Sequence, residues 1–170
     1  MQKKRGASMN TANFHFTLVT KKDLLELQAM YRDAFLPIYE KYHDDETDPY
    51  LESLNSLNKK WQQPSSKFYF FEKEKQRLGM IRVITSSTGN DARISPLLIL
   101  PKYQSHGYAQ LMLEQIEQLY PTVHRWHLDT IAEEPKLIHL YQKMGYIQDP
   151  DRHEQILPGM HIVFFTKIRH

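Results

Sequence analysis

Between Ile99 and Pro121 the chain reads ILPKYQSHGYAQLMLEQIEQLYP. It passes from an apolar stretch through a polar turn into helical spacing. At the junction stand Gln104, Ser105, His106, Gly107, Tyr108 and Ala109. If a strand ends here and a helix begins, the first helical N–H groups have no intrahelical partner and point outward. The helix dipole adds partial positive charge at the same place. Gly lets the backbone come close to a ligand, and Ala109 leaves the helix start uncovered. Such a turn is built to hold an anion such as a pyrophosphate. Strand–Gly–helix junctions are also common as plain helix starts with a flexible residue, so the turn alone leaves both readings open. Rival chemistries lack their residues. There is no Gly-x-Ser-x-Gly elbow, no Walker loop and no His-Glu-x-x-His, and the nine histidines are scattered, so no metal is expected.

The elements that must position this turn are readable in order. Asn13–Thr20 has strand composition. Lys21–Tyr42 has helical spacing, with Leu24, Leu25, Leu27, Met30, Tyr31, Ala34 and Phe35 as its apolar stripe and Pro37 expected to kink or split it. His43–Tyr50 is an acidic loop, and Leu51–Trp61 a shorter helix. Three strands follow, at Lys67–Glu74, Leu78–Ser87 and Ala92–Pro101. A helix from about Gly107 to Tyr120 carries Ala109, Met112, Ile116 and Leu119 on one face. Then come a strand (Val123–Ile131), a helix (Glu133–Met144) and two closing strands. Glu133 and Glu134 favour the positive end of that last helix, and Gly145 stops it. The order is β-α-α-β-β-β-α-β-α-β-β. The strand–helix–strand from Ala92 to Ile131 must be a right-handed parallel crossover. The expected fold is α/β, a mixed and mostly antiparallel sheet with helices on both faces.

With that topology in place, the motifs resemble the GNAT superfamily of acyl-CoA-dependent N-acetyltransferases. The family's loop reads Arg/Gln-x-x-Gly-x-Gly/Ala, and Gln104-Ser105-His106-Gly107-Tyr108-Ala109 matches each specified position. The preceding aliphatic-x-Pro is Ile99-Leu100-Pro101, followed by the aromatic Tyr103. The later Tyr-x-Lys-x-Gly-aromatic motif is Tyr141-Gln142-Lys143-Met144-Gly145-Tyr146. The resemblance implies acetyl-CoA as co-substrate, with its pyrophosphate on the Gln104–Ala109 loop. The strand before the loop would splay from its parallel neighbour, and the pantetheine arm would pair with main-chain groups of Leu98, Ile99 and Leu100. It also implies that Tyr141, which by spacing alone reads first as a core aromatic beside Leu137, Leu140 and Met144, protonates the leaving thiolate. A phenol suits that role because its ordinary pKa of about 10 keeps the proton at neutral pH.

An acceptor amine must lose a proton before it attacks. Ser95 and Pro96 stand where many relatives carry an acid, so the base candidates are Asp129 and His127, which share a strand face, and Glu46 on the acidic loop. Relatives often carry a cofactor-contacting Asn near Glu134–Leu137; this chain has none there. Asp44, Asp45, Glu46 and Asp48 would attract a cationic acceptor, either a small-molecule amine or a protein Lys or N-terminal amine. Direct attack in a ternary complex is expected, since there is no Cys to carry the acyl group. The alternative is a module of the same fold that binds acyl-CoA without turnover.

Length and composition are consistent with this. A chain of 170 residues suits one domain, here 13–170 after an expected flexible tail at 1–12 containing Lys3, Lys4, Arg5 and the alternative start Met9. A net charge of +2 is too balanced to imply a nucleic-acid partner. No apolar run is long enough to span a membrane, and the basic N-terminus lacks the apolar core of a secretory signal. A cytoplasmic monomer or homodimer is the expectation.

Overall fold

The computed structural model describes residues 11–170. Of the tail expected at 1–12, residues 1–10 lie outside the described residues, while its last two, Thr11 and Ala12, form a 3-10 turn with Asn13. The element order is the expected one: β1 (Phe14–Leu18), α1 (Leu24–Tyr42), α2 (Leu54–Gln62), β2 (Ser66–Lys73), β3 (Gln76–Thr85), β4 (Asp91–Ile99), α3 (Tyr108–Leu119), β5 (Arg125–Ile131), α4 (Pro135–Lys143), β6 (Ile147–Leu157) and β7 (Met160–Ile168). The seven strands form one sheet in the order β1-β2-β3-β4-β5-β7-β6, and β4–β5 is its parallel pair.

Helices cover both faces, and the strands record this by alternation. Phe68 and Phe70 of β2 point toward α1 and α2, where they pack with Leu24, Leu27, Met30, Tyr31 and Leu57. Tyr69 and Phe71, one residue out of phase, join the larger core with Leu111, Met112, Leu113 and Ile116 of α3 and Tyr141 and Met144 of α4. A strand buried on both faces loses its polar alternation, which is why the SKFYFF stretch reads as a nearly continuous apolar run.

Three expectations need correction. Of the two outcomes expected at Pro37, a kink or a split, the split does not occur: α1 runs unbroken to Tyr42. Both Pro37 and Asp33, whose carbonyl loses its bond, are exposed, so water satisfies that carbonyl while Leu24, Leu27, Met30 and Tyr31 hold the helix by burial. Leu25 is 68% exposed and leaves the stripe, because it sits about 100° around the helix from Leu24. On α3, Leu119 is exposed, and Leu111 and Leu113 take places not expected for them.

Candidate active site

β4 is paired differently along its two edges. Against β3 it is paired from Ala92 to Ile99, with one interruption: Ile81 faces Leu97 but Val83 faces Ile94, so β4 carries an extra residue at Ser95–Pro96. Gly79 permits the closeness of this edge, because a Cβ there would collide with the Leu98 carbonyl oxygen. Against β5, β4 pairs only through Asp91↔Arg125, Ala92↔Trp126 and Arg93↔His127. Beyond Arg93 the strands part. The main-chain edge of β4 from the bulge onward faces a gap, bordered opposite by Leu128–Ile131.

Which residues open onto the gap follows from the hydrogen bonds. The Leu100 amide donates to Leu78 O at 2.8 Å, so Leu100 is committed to β3, and by the two-residue alternation Leu98 faces β3 too. Of the three residues expected to offer main-chain groups, Ile99 alone faces the gap. Leu97, not anticipated, joins it. The bulge hides this phase in the sequence. The Ile99 carbonyl accepts from Gln104 Nε2 at 2.9 Å, so the first residue of the loop motif also braces the strand end.

The loop crosses the end of the sheet to α3. Ser105 and Gly107 both take left-handed conformations, with φ of 63° and 78°. His106 Nδ1 lies 2.7 Å from the Gln104 carbonyl, and its ring stacks on Tyr108. The Leu111 amide is the first of the helix to find a carbonyl, that of Gly107. The amides of Ser105, His106, Gly107, Tyr108, Ala109 and Gln110 make no hydrogen bond to the protein among the described residues. Six consecutive free donors at a helix start form an anion cradle.

Tyr141 is 6% exposed, with its ring among Tyr146 and Phe165. Burial, and secondarily the charge of Asp129, push its phenol above the ordinary range, so it keeps its proton. Its hydroxyl has no partner among the described residues. Nor is it one of the sealed unpartnered atoms, which are Asp48 Oδ2, Glu52 Oε1, Asn58 Oδ1 and Trp126 Nε1. The O–H is thus unpaired within the protein and not fully sealed. Asp129, two residues past the last β4–β5 pair, is ion-paired with Arg93. His127 is occupied on both nitrogens, by Asp91 and Thr166.

The α1–α2 connection is not a loosely solvated loop. Asp44 is 2% and Asp48 6% exposed. Asp44 accepts from the Glu46 and Thr47 amides and from the Thr47 hydroxyl. Asp48 caps Tyr50 N through Oδ1 at 2.8 Å, while its Oδ2 has no donor. Burial raises the Asp48 carboxyl above its ordinary range. Glu46 itself is exposed. Glu133 and Glu134 are spent on long-range partners rather than on α4: Glu133 holds His161, and Glu134 accepts from Lys41 and, at 2.6 Å, from Tyr42. The end of α1 is thereby tied to the turn that follows β5. A separate cleft of about 680 Å³ lies between α1, the β2–β3 turn and Tyr103. Its Arg77 is already paired with Asp23, Glu26 and Glu72.

With the geometry described, comparison with known proteins is informative. An uncharacterized N-acetyltransferase (ycf52) of Gracilaria tenuistipitata var. liui is 33% identical over 89 residues, 51% of this chain and 47% of that one. A spermidine N(1)-acetyltransferase of Vibrio cholerae is 22% identical over 86 residues, 49% of this chain and 50% of that one. The chain thus spans about half the length of the curated relatives it matches. Among solved structures, the Vibrio cholerae spermidine N-acetyltransferase in complex with CoA and spermine has a TM-score of 0.75 at 17% identity, covering 92% of this chain and 96% of that one. An acetyltransferase from Thermus thermophilus has a TM-score of 0.73 at 18% identity, covering 95% of this chain and all of that one. At these identities the structural likeness shows the fold alone. A sequence model of the Acetyltransferase (GNAT) family matches residues 26–146, the segment that carries the loop, the parted strands and Tyr141, and the chain belongs to that family.

Proposed function

We propose that this protein is an acetyl-CoA-dependent N-acetyltransferase whose acceptor is a small cationic amine. The observation that carries the reading is the run of six free amides from Ser105 to Gln110 at one end of an open β4 edge. The cradle fits a diphosphate, and the gap fits a pantetheine arm pairing with Leu97 and Ile99. Of the loop side chains, Gln104 serves the strand end and His106 turns back on the loop, which leaves binding to the main chain and the Ser105 hydroxyl.

The chemistry follows from where the protons go. A neutral amine nitrogen forms the new C–N bond at the thioester carbonyl, the C–S bond breaks, the nitrogen gives its surplus proton to the base or to solvent, and Tyr141 donates its phenolic proton to the sulfur. The phenol then recovers a proton from solvent. Of the two carboxylates considered as base, Asp129 is the better situated. It lies on the strand bordering the gap, and its charge acts on Tyr141, whereas Glu46 is an exposed residue of the α1–α2 connection. Holding amine and thioester together supplies much of the acceleration.

For the acceptor, the acidic α1–α2 connection, whose Asp45 and Glu46 are exposed, favours a cation. The spermidine specificity in the names of two relatives points the same way. The alternative, a regulator that binds acyl-CoA without turnover, leaves the open Tyr141 hydroxyl without purpose. A thermal-shift measurement with CoA followed by a thiol-release assay over a panel of amines tests the proposal. We expect stabilisation by CoA, and thiol release with di- and polyamines. Stabilisation with no thiol release from any amine supports the regulator; no stabilisation removes both readings.

A further inference from the structure

The Arg82 guanidinium is 8% exposed, sits on β3 beneath α1 and α2, and belongs to none of the chemistry above. A buried cation is normally paired with a carboxylate, because desolvation costs more than isolated hydrogen bonds return. Arg82 has no ion pair among the described residues. Glu52, the acid whose charge reaches it, is ion-paired with Lys60 instead. Its donors go to neutral oxygens. Nε bonds Ser66 Oγ at 2.8 Å, while the two terminal nitrogens lie 3.4 Å from the Ser95 carbonyl and from Gln63 Oε1. The ring of Phe68 lies under the guanidinium at 5.2 Å, and Tyr31 and Arg93 complete the charged and titratable groups that act on it.

The position of these contacts along β4 gives them meaning. Arg82 is the β3 residue skipped by the register, opposite the extra residue of β4. Neither Ser95 nor Pro96 has a partner in the β3 ladder, and Pro96 has no N–H to offer. The Ser95 carbonyl is therefore a main-chain acceptor that the bulge releases, and Arg82 takes it. We propose that Arg82 is a positioning residue: by holding the Ser95 carbonyl against Ser66 of β2 and Gln63 after α2, it fixes the bulge that turns Leu97 and Ile99 toward the gap. This rests on the acyl-CoA reading of the gap, and it assigns to one side chain the registration of the edge on which the thioester arm would lie.

A purely structural arginine and a positioning arginine predict different results. Arg82→Met retains an unbranched apolar stem, removes a desolvated charge, and leaves no carboxylate unpaired, so the fold should survive. Calorimetric titration with acetyl-CoA and with its nucleotide half alone, adenosine 3′-phosphate 5′-diphosphate, separates the arm from the diphosphate cradle. For Arg82→Met we expect nucleotide affinity within about twofold of wild type and acetyl-CoA affinity lower by about tenfold or more. Arg82→Lys, with one point donor in place of a fork, should fall between. If Arg82→Met fails to fold, the same two titrations on Arg82→Lys decide the matter. Unchanged acetyl-CoA affinity, or equal losses for both ligands, overturns the positioning role. Wild-type protein that binds neither ligand overturns the acyl-CoA reading, and this inference with it.

Discussion

The two sides of the gap are made of different material. On the α3 side, recognition is written in the main chain: six consecutive amides, two left-handed residues and a brace from Gln104 to the strand end, all within eleven residues of Ile99. On the α1–α2 side it is written in side chains drawn from distant segments. Asp44 and Asp48 are buried in their own turn, Tyr42 and Lys41 reach Glu134, and Arg82 gathers Gln63, Ser66 and Ser95. Under the proposed reading, a diphosphate presents the same charge and shape every time, which suits backbone dipoles, whereas an amine acceptor must be told from other amines, a task for side chains.

This difference can be broken at several points. The largest effect is expected at the loop. Gly107→Trp puts a bulky side chain at φ of 78° within the cradle, and CoA affinity should drop about 100-fold or more while the exposed site leaves the fold intact. Titration calorimetry and circular dichroism check this; unaltered affinity would remove the loop from the site. Next is Tyr141→Phe, which keeps the ring packing and deletes the proton. Turnover should fall about 100-fold with little change in the KM for acetyl-CoA. Because burial and Asp129 raise the phenol, the wild-type rate should climb with pH as the amine deprotonates and show no falling limb below about pH 10. A limb near neutrality contradicts the assignment.

Smaller effects sharpen the contrast. Gly79→Ala forces β3 away from the Leu98 carbonyl and should cost about 1–3 kcal/mol in denaturant unfolding. An unaffected midpoint would show that the tight β3–β4 edge is not needed. Smallest is Asp48→Asn. Burial raises the folded-state pKa of this acid above its unfolded value, so the charged form is disfavoured by folding, and stability is gained as pH falls through the raised value. The amide keeps the cap on Tyr50 and removes the charge, so the melting temperature at pH 7 should rise by about 2–4 °C, as one kcal/mol would give. Lower stability at pH 7 would mean that Asp48 Oδ2 has a donor after all.

The same difference decides what is legible in the sequence. The loop is read by main chain, so its requirements fall on adjacent residues, and the Gln104–Ala109 pattern carries them openly. Tyr141 is legible as part of the later motif. The full order of elements follows from periodicity and turn residues. The partners of Arg82 are 13 to 19 positions away, and the tie from Tyr42 to Glu134 spans 92. No local pattern announces such pairs. The phase of β4 is not legible, because one extra residue at Ser95–Pro96 reverses which main-chain groups face outward. The burial of Asp44 and Asp48 is hidden too, because an acidic run looks solvated until its own turn is seen to close over it.

The central claim is that free amides at the start of α3 grip the diphosphate of an acyl carrier. Amide chemical shifts of isotope-labelled protein, followed during titration with CoA, test it residue by residue. The account predicts that the largest displacements fall on Ser105–Gln110, with Leu97 and Ile99 next, and that adenosine 3′-phosphate 5′-diphosphate reproduces the first group without the second. Saturable binding whose shifts cluster elsewhere, or spectra unmoved by CoA, would contradict it.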